Sequence, residues 1–119
     1  MPGNADPDAV RSYYDYVDAE EYESLFALFA EDVVYERPGQ PPIDGMDDFQ
    51  AFYHEGRPLE DGNHEVHSVV ADGDTVAVRG AFSGVQDGTE VSFGFADFHV
   101  FEDDGRIGHR YTYTDRDTV

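Results

Sequence analysis

Hydrophobic residues in the first half of the chain recur every three or four positions, the period of an amphipathic α-helix. Three stretches show this spacing, and their apolar positions are Val10, Tyr13, Tyr14 and Val17; Tyr22, Leu25, Phe26 and Phe29; and Met46, Phe49, Phe52 and Tyr53. Asp6 followed by Pro7 is typical of a helix start, and Gly56 is suited to a helix end. Asp18 with Glu21 three residues later resembles a capping box. The pattern predicts three helices, the first two meeting near Asp18.

The second half of the chain alternates between apolar and polar residues and is divided by turn sequences. Four strands are predicted, at residues 64–71, 75–83, 89–101 and 106–114. Asp72-Gly73-Asp74, Asp87-Gly88 and Asp103-Asp104-Gly105 separate them as tight turns. A short β-prone run at 33–37 precedes the third helix, and residues 57–62 read as a loop. The order α-α-β-α-β-β-β-β predicts one α+β domain over residues 1–119, with a mostly antiparallel sheet.

The charge is strongly one-sided. The 119 residues include 27 acids and 7 bases, all of them arginine, for a net charge of −20. A disordered acidic tail or a cation-binding sponge is one interpretation of such a sequence. However, the acids are spread along a chain that is 14% aromatic, which is not a disordered composition. The composition favours a folded protein with an acidic surface suited to molar salt, as in halophilic proteins of the haloarchaeal type.

Several classes of function are excluded by what the sequence lacks. Without cysteine there is no disulfide, thiolate metal site or cysteine nucleophile. The first residues do not resemble a signal peptide and no apolar stretch could span a membrane, so we expect a cytoplasmic protein without membrane partners. No basic patch could meet nucleic acid. His64 and His67 would point to opposite faces of a strand, and no phosphate loop is present, so neither metal nor cofactor is expected.

Asp97 is the sharpest chemical signal, because alternation places it on one strand face with Phe93, Phe95 and His99. A carboxylate among aromatic rings must be neutralised or paired. It is either a neutral hydrogen-bond donor or an ionised group held by a cation, and a purely structural buried acid is the alternative to both. Arg37 and Arg110 are the candidate cations, either of them able to pair bidentately, although each could equally be a surface ion partner.

The last predicted strand has two distinct faces. Arg110, Thr112 and Thr114 share one face, whereas His109, Tyr111 and Tyr113 share the other. If Arg110 points to the interior, the aromatic row points outward. Such a row suits a dimer interface.

Residues 28–39 (LFAEDVVYERPG), 95–101 (FADFHVF) and 104–107 (DGRI), in this order of elements, resemble the nuclear transport factor 2-like superfamily. Within it, the chain is most similar to the SnoaL-like and ketosteroid isomerase-like members. The resemblance implies a cone-shaped, curved sheet whose helices close a pocket for a small hydrophobic molecule, and a homodimer through the outer sheet face. It also aligns Tyr13 with the donor tyrosine of the isomerase and Asp97 with the donor aspartate. The isomerase base aligns with Arg37, which cannot abstract a proton.

Two functional hypotheses therefore remain open. The first is a cofactor-free isomerase, cyclase or epoxide hydrolase-like enzyme, because an Asp–Arg constellation resembles the limonene epoxide hydrolase branch. The second is a non-catalytic ligand-binding or dimerisation module, since classical ketosteroid isomerase chemistry lacks its base. The expected catalytic residues are Asp97, Tyr13, Arg37 and His99, and the expected substrate-binding residues are Arg110, Phe52, Phe93 and Phe95.

Overall fold

The computed structural model describes residues 5–56 and 59–115, except the side chains of residues 55, 56 and 59–61. Its helices are α1 (Pro7–Asp18), α2 (Tyr22–Phe26) and α3 (Met46–Ala51), which continues as a π-helical turn over Phe52–Gly56. Its strands are β1 (Phe29–Glu36), β2 (Ile43–Asp44), β3 (Leu59–Asp72), β4 (Thr75–Gln86), β5 (Thr89–Phe101) and β6 (Ile107–Thr114). The predicted α+β class, with helices in the first half followed by sheet, is confirmed.

Helix α1 forms as the sequence predicts. The Asp6 carboxylate accepts hydrogen bonds from the backbone N–H groups of Asp8 at 3.1 Å and Ala9 at 3.3 Å, which satisfies two donors of the first turn. The apolar stripe is buried against the sheet through Val10, Tyr13, Tyr14 and Val17. The helix therefore delivers two tyrosine hydroxyls to the interior.

The second helix is shorter than its apolar spacing predicts. It ends at Phe26, and Phe29 begins β1, where it pairs with Ile107 of β6. Asp18 does not cap α2, because its carboxylate bonds the backbone N–H of His64 at 2.7 Å and the ring Nδ1 at 2.6 Å. Sheet pairing and this contact with β3 outweigh the local helical preference.

The six strands form one sheet in the order β2-β1-β6-β5-β4-β3. The hairpins β3–β4, β4–β5 and β5–β6 are antiparallel as predicted, whereas β1 pairs with β6 in parallel. The predicted loop at 57–62 contributes to a strand, since β3 begins at Leu59. Ile43–Asp44 forms the additional short strand β2, which pairs with β1. Residues 57 and 58 of the predicted 57–62 loop lie outside the described residues.

The sheet is curved around its inner face. Register shifts interrupt β3 between Val66 and Ser68 and the β5–β6 pairing next to Phe101, and such bulges bend a sheet. Gly80 is required at the first bulge, because a Cβ there would collide with the carbonyl oxygen of Glu65. The concave face and the helices enclose an aromatic core that includes Phe29, Phe49 and Phe82.

Candidate functional site

Two neighbouring rows of the concave face place polar side chains in the middle of the core. In one row His99 of β5 lies opposite Arg110 of β6, which lies beside Tyr35 of β1. In the next row Asp97 lies opposite Thr112. These side chains and one tyrosine of α1 lie together, and we term the group the polar cluster. Its members are Tyr14, Asp97, His99, Arg110 and Thr112.

Asp97 is the centre of the polar cluster and is 1% exposed. Its Oδ2 atom accepts hydrogen bonds from the Tyr14 hydroxyl at 2.6 Å and from Arg110 at 2.8 Å. Its Oδ1 atom accepts from the Thr112 hydroxyl at 2.6 Å. Burial alone would raise the pKa of Asp97, but Arg110 and the two hydroxyls outweigh it and hold the pKa below its usual value. Asp97 is therefore an ionised carboxylate, not a neutral donor.

Arg110 is the cation that faces Asp97. Its guanidinium carbon lies 4.6 Å from the ring centroid of Tyr13 and 4.4 Å from that of Tyr35, so the planar group lies against two aromatic rings. One of its nitrogens contacts the carboxylate, in place of the bidentate pairing considered from sequence. Burial acts to lower the pKa of Arg110, but Asp97 raises it well above its usual value. The pair remains charged at any ordinary pH.

His99 is completely buried and neutral. Burial, and next the Arg110 cation, lower its pKa to about 3 against the opposing effect of Asp97. Its Nε2 atom lies 3.1 Å from the Tyr14 hydroxyl oxygen. The single Tyr14 proton is donated to Asp97, so His99 Nε2 must carry the proton of this second hydrogen bond. The ring Nδ1 atom is then an acceptor, and none of the described residues donates a hydrogen bond to it.

The two adjacent tyrosines of α1 have different surroundings. Tyr14, which the sequence argument left in the core, is the one that reaches Asp97, and burial followed by the Asp97 charge raises its pKa well above the usual value. Tyr13 lies against Arg110, and its hydroxyl is 2.5 Å from the hydroxyl of Tyr53. Burial also raises the pKa of Tyr13 well above its usual value. Both phenols are hydrogen-bonding groups, not phenolates.

The remaining predicted site residues lie in two separate places. Arg37 and Phe52 are together beyond the end of β1, where the Arg37 guanidinium carbon is 4.4 Å from the Phe52 ring centroid. Phe93 and Phe95 lie nearer the start of β5 than Asp97: Phe93 packs on Phe82, and Phe95 packs on Tyr14. Arg110, and not Arg37, is the arginine that contacts Asp97. The structure thus assembles Asp97, His99 and Arg110, with Tyr13 beside them.

Sequence reasoning missed Tyr14 and Thr112 as partners of Asp97. Thr112 shares the inward face of β6 with Arg110 by alternation, a signal that was available. Its proton goes to Asp97, so the Tyr35 hydroxyl, 3.2 Å away, donates to the Thr112 oxygen. The hydroxyls of Tyr35 and Thr112 therefore form a chain of hydrogen bonds that ends on the Asp97 carboxylate.

The described residues contain no group of three or more histidine, aspartate or glutamate side chains placed to hold a metal ion. Within the same residues, every helix is too short or too polar to cross a membrane. The polar cluster itself offers one carboxylate, one neutral imidazole, hydroxyls and a cation. These groups can orient a polar ligand atom or exchange a proton.

Comparison with solved structures places the fold among known proteins. An LEH-like epoxide hydrolase of M. tuberculosis superposes with a TM-score of 0.80 at 22% identity, covering 92% of this chain and 81% of that one. An NTF2-like protein of unknown function from Burkholderia pseudomallei gives 0.83 at 20% identity, covering 97% and 92%. A Kribbella flavida protein provisionally named ketosteroid isomerase gives 0.76 at 26% identity, covering 92% and 77%.

These likenesses establish the cone fold, which neighbours with different names share. No curated protein sequence matches the chain. The sequence profile of the SnoaL-like domain matches residues 10–109, which include most of α1 and most of the sheet. The chain belongs to the SnoaL-like domain family.

Proposed function

We propose that this protein binds a small, mostly hydrophobic molecule inside the cone, with the polar cluster as the fixed polar end of the binding site. The observation that carries this proposal is the ionised Asp97 among aromatic rings, held by Tyr14, Arg110 and Thr112. Few polar groups with fixed positions in an aromatic interior are typical of small-molecule sites. Proteins of the same fold include some named for epoxide hydrolysis and ketosteroid isomerisation, both of which act on largely apolar molecules.

Binding accounts for the geometry better than catalysis by Asp97 does. Both carboxylate oxygens already accept hydrogen bonds, and the lowered pKa makes Asp97 a weak base. To take a proton from a substrate, Asp97 would have to release Tyr14 or Thr112. The position expected for the ketosteroid isomerase base is occupied by Arg37, whose guanidinium lies over the Phe52 ring and cannot take a proton.

The experiment that tests binding is protein-observed NMR with small aromatic and alicyclic compounds, in roughly 1 M KCl to screen the acidic surface. Bound compounds should shift the ring signals of Tyr35 and Tyr53 and the Arg110 Nε–H signal. The outer-face rings of Phe98 and Tyr113 are the internal control. Compounds that shift only Phe98 and Tyr113, or none of these signals, would contradict the proposal.

A second candidate is a cofactor-free hydrolase that adds water to an epoxide, favoured by the Asp97–Arg110 contact of 2.8 Å. In that reaction Asp97 takes a proton from water as the water oxygen adds to an epoxide carbon and that C–O bond breaks. The proton then passes from Asp97 to the former epoxide oxygen, which gives the diol and restores the carboxylate. The test is conversion of cyclohexene oxide to its diol by the wild type and by Asp97→Asn. Catalysis by Asp97 is supported if Asp97→Asn is slower than the wild type by about 100-fold or more while the control Asp104→Asn keeps the wild-type rate. Equal rates in all three proteins exclude Asp97 as the base.

The proposal includes a homodimer through the outer face of the sheet. Across strands β3 to β6, cross-strand partners on this face form two rows without an acidic residue, in a chain of net charge −20: Val70, Ala77, Phe98 and Tyr111; and Ser68, Arg79, Ala96 and Tyr113. The first row reaches an acid only at its end, where Tyr111 pairs with Glu36 of β1. Phe98 is 38% exposed and Tyr113 is 56% exposed, and their rings contact each other. A second copy fits this face because the two rows bring no carboxylate of β3 to β6 against another, whereas facing acidic surfaces repel.

Light scattering coupled to size exclusion in roughly 1 M KCl tests the dimer. Tyr113→Asp places a charge in the middle of the face and should give a monomer. Thr89→Asp adds the same charge at the exposed β4–β5 turn and should leave the mass unchanged. A wild type that is monomeric at micromolar concentration contradicts the homodimer.

The same acidic surface supports the proposal that residues 1–119 act as one domain in the cytoplasm of a halophilic cell. The described acids Glu20, Glu23, Asp47 and Asp87 are all exposed on different elements. Repulsion between so many exposed carboxylates destabilises the folded protein, and salt reduces that repulsion by screening the charges.

A further inference from the structure

The outer face of the sheet carries an exposed arginine that meets no acid of its own chain. Arg79 of β4 donates a hydrogen bond from Nη2 to the Ser68 hydroxyl oxygen at 3.3 Å. No carboxylate among the described residues forms an ion pair with it, and Glu65, an exposed acid of β3, contacts His67 at 2.9 Å. In a chain with 27 acids, a surface guanidinium that meets none of them is available to a partner.

An open groove leads from Arg79 across the sheet to Asp115. Its volume is about 480 Å³, and Tyr113, which is 56% exposed, borders it on β6. Between the two charged residues its lining includes the small residues Ala81, Gly94 and Ala96. Because Gly94 and Ala96 have little or no side chain, groups of a partner can approach the backbone of β5 here.

Asp115 is the charged residue on the far side of this groove. Its backbone N–H donates to the Gly94 carbonyl oxygen at 3.3 Å, and its Oδ1 accepts from the Gly94 N–H at 3.2 Å. The exposed carboxylate is therefore held in place beside β5. Arg79 lies on β4, two strands from Asp115, which is roughly 10 Å across a sheet whose strands are about 4.8 Å apart.

We infer that Arg79 of one copy forms an ion pair with Asp115 of the partner subunit, so that the homodimer contains this pair twice. The inference rests on the proposed homodimer and adds the contact that sets its registry. A two-fold axis in the interface can pass over β5, between the two residues and at right angles to the line that joins them. Such an axis exchanges the two positions, as an isologous interface requires, and both pairs form at once.

Charge complementarity favours a second copy as the occupant of the groove. Two surfaces of a protein with net charge −20 repel, whereas two arginine–aspartate contacts place attraction in the middle of this face. The exposed rings of Phe98 and Tyr113 contact each other beside the groove and add apolar area. Contact between closely packed surfaces persists in molar salt, where the Debye length of about 3 Å removes only the long-range repulsion.

Charge reversal tests the contact, with dimer dissociation constants measured by analytical ultracentrifugation in roughly 1 M KCl. Arg79→Asp brings carboxylate against carboxylate, and Asp115→Arg brings guanidinium against guanidinium. Each single variant should weaken the dimer by at least about 100-fold, because like charges then meet twice in every dimer. The double variant Arg79→Asp/Asp115→Arg should dimerise as the wild type does, which also shows that both substitutions allow folding.

Mixing the two single variants distinguishes a contact between copies from an effect within one copy. One variant presents two acids and the other two arginines, so a heterodimer regains both ion pairs although neither variant dimerises well alone. The mixture should associate with a dissociation constant within about tenfold of the wild type.

Two control variants make the same changes of charge away from the outer face. Arg106→Asp alters an exposed arginine that pairs with Asp104 at the β5–β6 turn, and Asp48→Arg alters an exposed acid of α3. Both should dimerise as the wild type does.

The outcomes separate the contact from the homodimer itself. A monomeric wild type removes both. A dimeric wild type whose dissociation constant is unchanged in either single variant overturns the contact and leaves the homodimer in place. The contact is also overturned if both single variants are monomeric and their mixture stays monomeric.

Discussion

The Asp97–Arg110 pair is the part of the interior that is most costly to disturb. Both side chains are almost fully buried, at 2% and 4% exposure. We predict that Arg110→Met lowers the free energy of unfolding by about 3–5 kcal/mol, because it leaves the Asp97 carboxylate buried without its cation. Denaturant unfolding at constant KCl concentration measures the change.

The exposed Arg106 again supplies the comparison for this prediction. Arg106→Met breaks a surface contact with Asp104 and should change the unfolding free energy far less. The double variant Asp97→Asn/Arg110→Met should recover part of the loss, since no charge is then left unpaired. If Arg110→Met is as stable as the wild type, Asp97 is not ionised in the folded protein.

His99 makes the stability depend on pH. Its pKa of about 3 in the folded protein lies below the ordinary value near 6.5, so the unfolded chain binds a proton that the folded chain rejects. Stability should therefore fall as pH falls below about 6.5, by up to about 1.4 kcal/mol per pH unit from this group. We predict that His99→Phe reduces the slope of unfolding free energy against pH by this amount between roughly pH 5 and 6.

His99→Phe is suited to this measurement because Tyr14 keeps its hydrogen bond to Asp97. Above about pH 7.5 the wild-type and variant slopes should coincide, since His99 is then neutral in both states. An unchanged slope between pH 5 and 6 would mean that His99 does not titrate as its burial requires.

At the level of single residues, the sequence predicted the centre of the cluster but not all of its partners. Asp97 was identifiable because phenylalanines flank it on one face, and Arg110 because a buried carboxylate needs a cation. Tyr13 and Tyr14 are both buried, but only the Tyr14 hydroxyl reaches Asp97. Which of the two tyrosines faces Asp97 depends on how α1 is rotated about its axis over the sheet. The periodic pattern defines the apolar side of the helix, but it does not distinguish between two adjacent positions on that side.

Among the elements, α1 depends on one contact at its end. Asp18, the last residue of the helix, accepts two hydrogen bonds from His64 of β3, through the backbone N–H and the ring. We predict that Asp18→Ala costs about 1–3 kcal/mol of unfolding free energy, because two partly buried donors lose their acceptor. Hydrogen exchange should show faster exchange of the amides in the last turns of α1.

Asp15 provides the control for this prediction, since it is an exposed acid one turn earlier in the same helix. Asp15→Ala should leave the exchange rates in the last turns of α1 close to those of the wild type. If Asp18→Ala does the same, the end of α1 is held by its apolar stripe alone.

The elements that could be predicted are those stabilised by nearby residues. The three hairpins have turn sequences between alternating strands, and β5 was predicted with its observed limits, Thr89–Phe101. Phe29 was assigned to a helix because its spacing fits α2, whereas its strand pairing with Ile107 joins residues almost 80 positions apart. The parallel β1–β6 contact has no local signal, so it could come only from the family resemblance.

For the whole molecule, charge repulsion should dominate the response to salt. The net charge of −20 is spread over one small domain, and its self-repulsion is screened as ionic strength rises. We predict that the melting temperature increases strongly between low salt and molar KCl. Potassium sulfate at equal ionic strength would separate screening from exclusion effects on the apolar core. A melting temperature independent of KCl would argue against the halophilic interpretation.

The central place of β6 in the sheet affects how the protein is made. This strand lies between β1 and β5, although it is the last of the six to be synthesised. A ribosome that has produced the chain up to β5 therefore holds two strands whose facing edges have no partner, and Asp97 has neither Arg110 nor Thr112. Unpaired edges and an unmatched buried charge favour aggregation of the nascent chain. We expect translation stalled before residue 107 to yield a chaperone-dependent, protease-sensitive chain, which becomes resistant in one step when β6 is released.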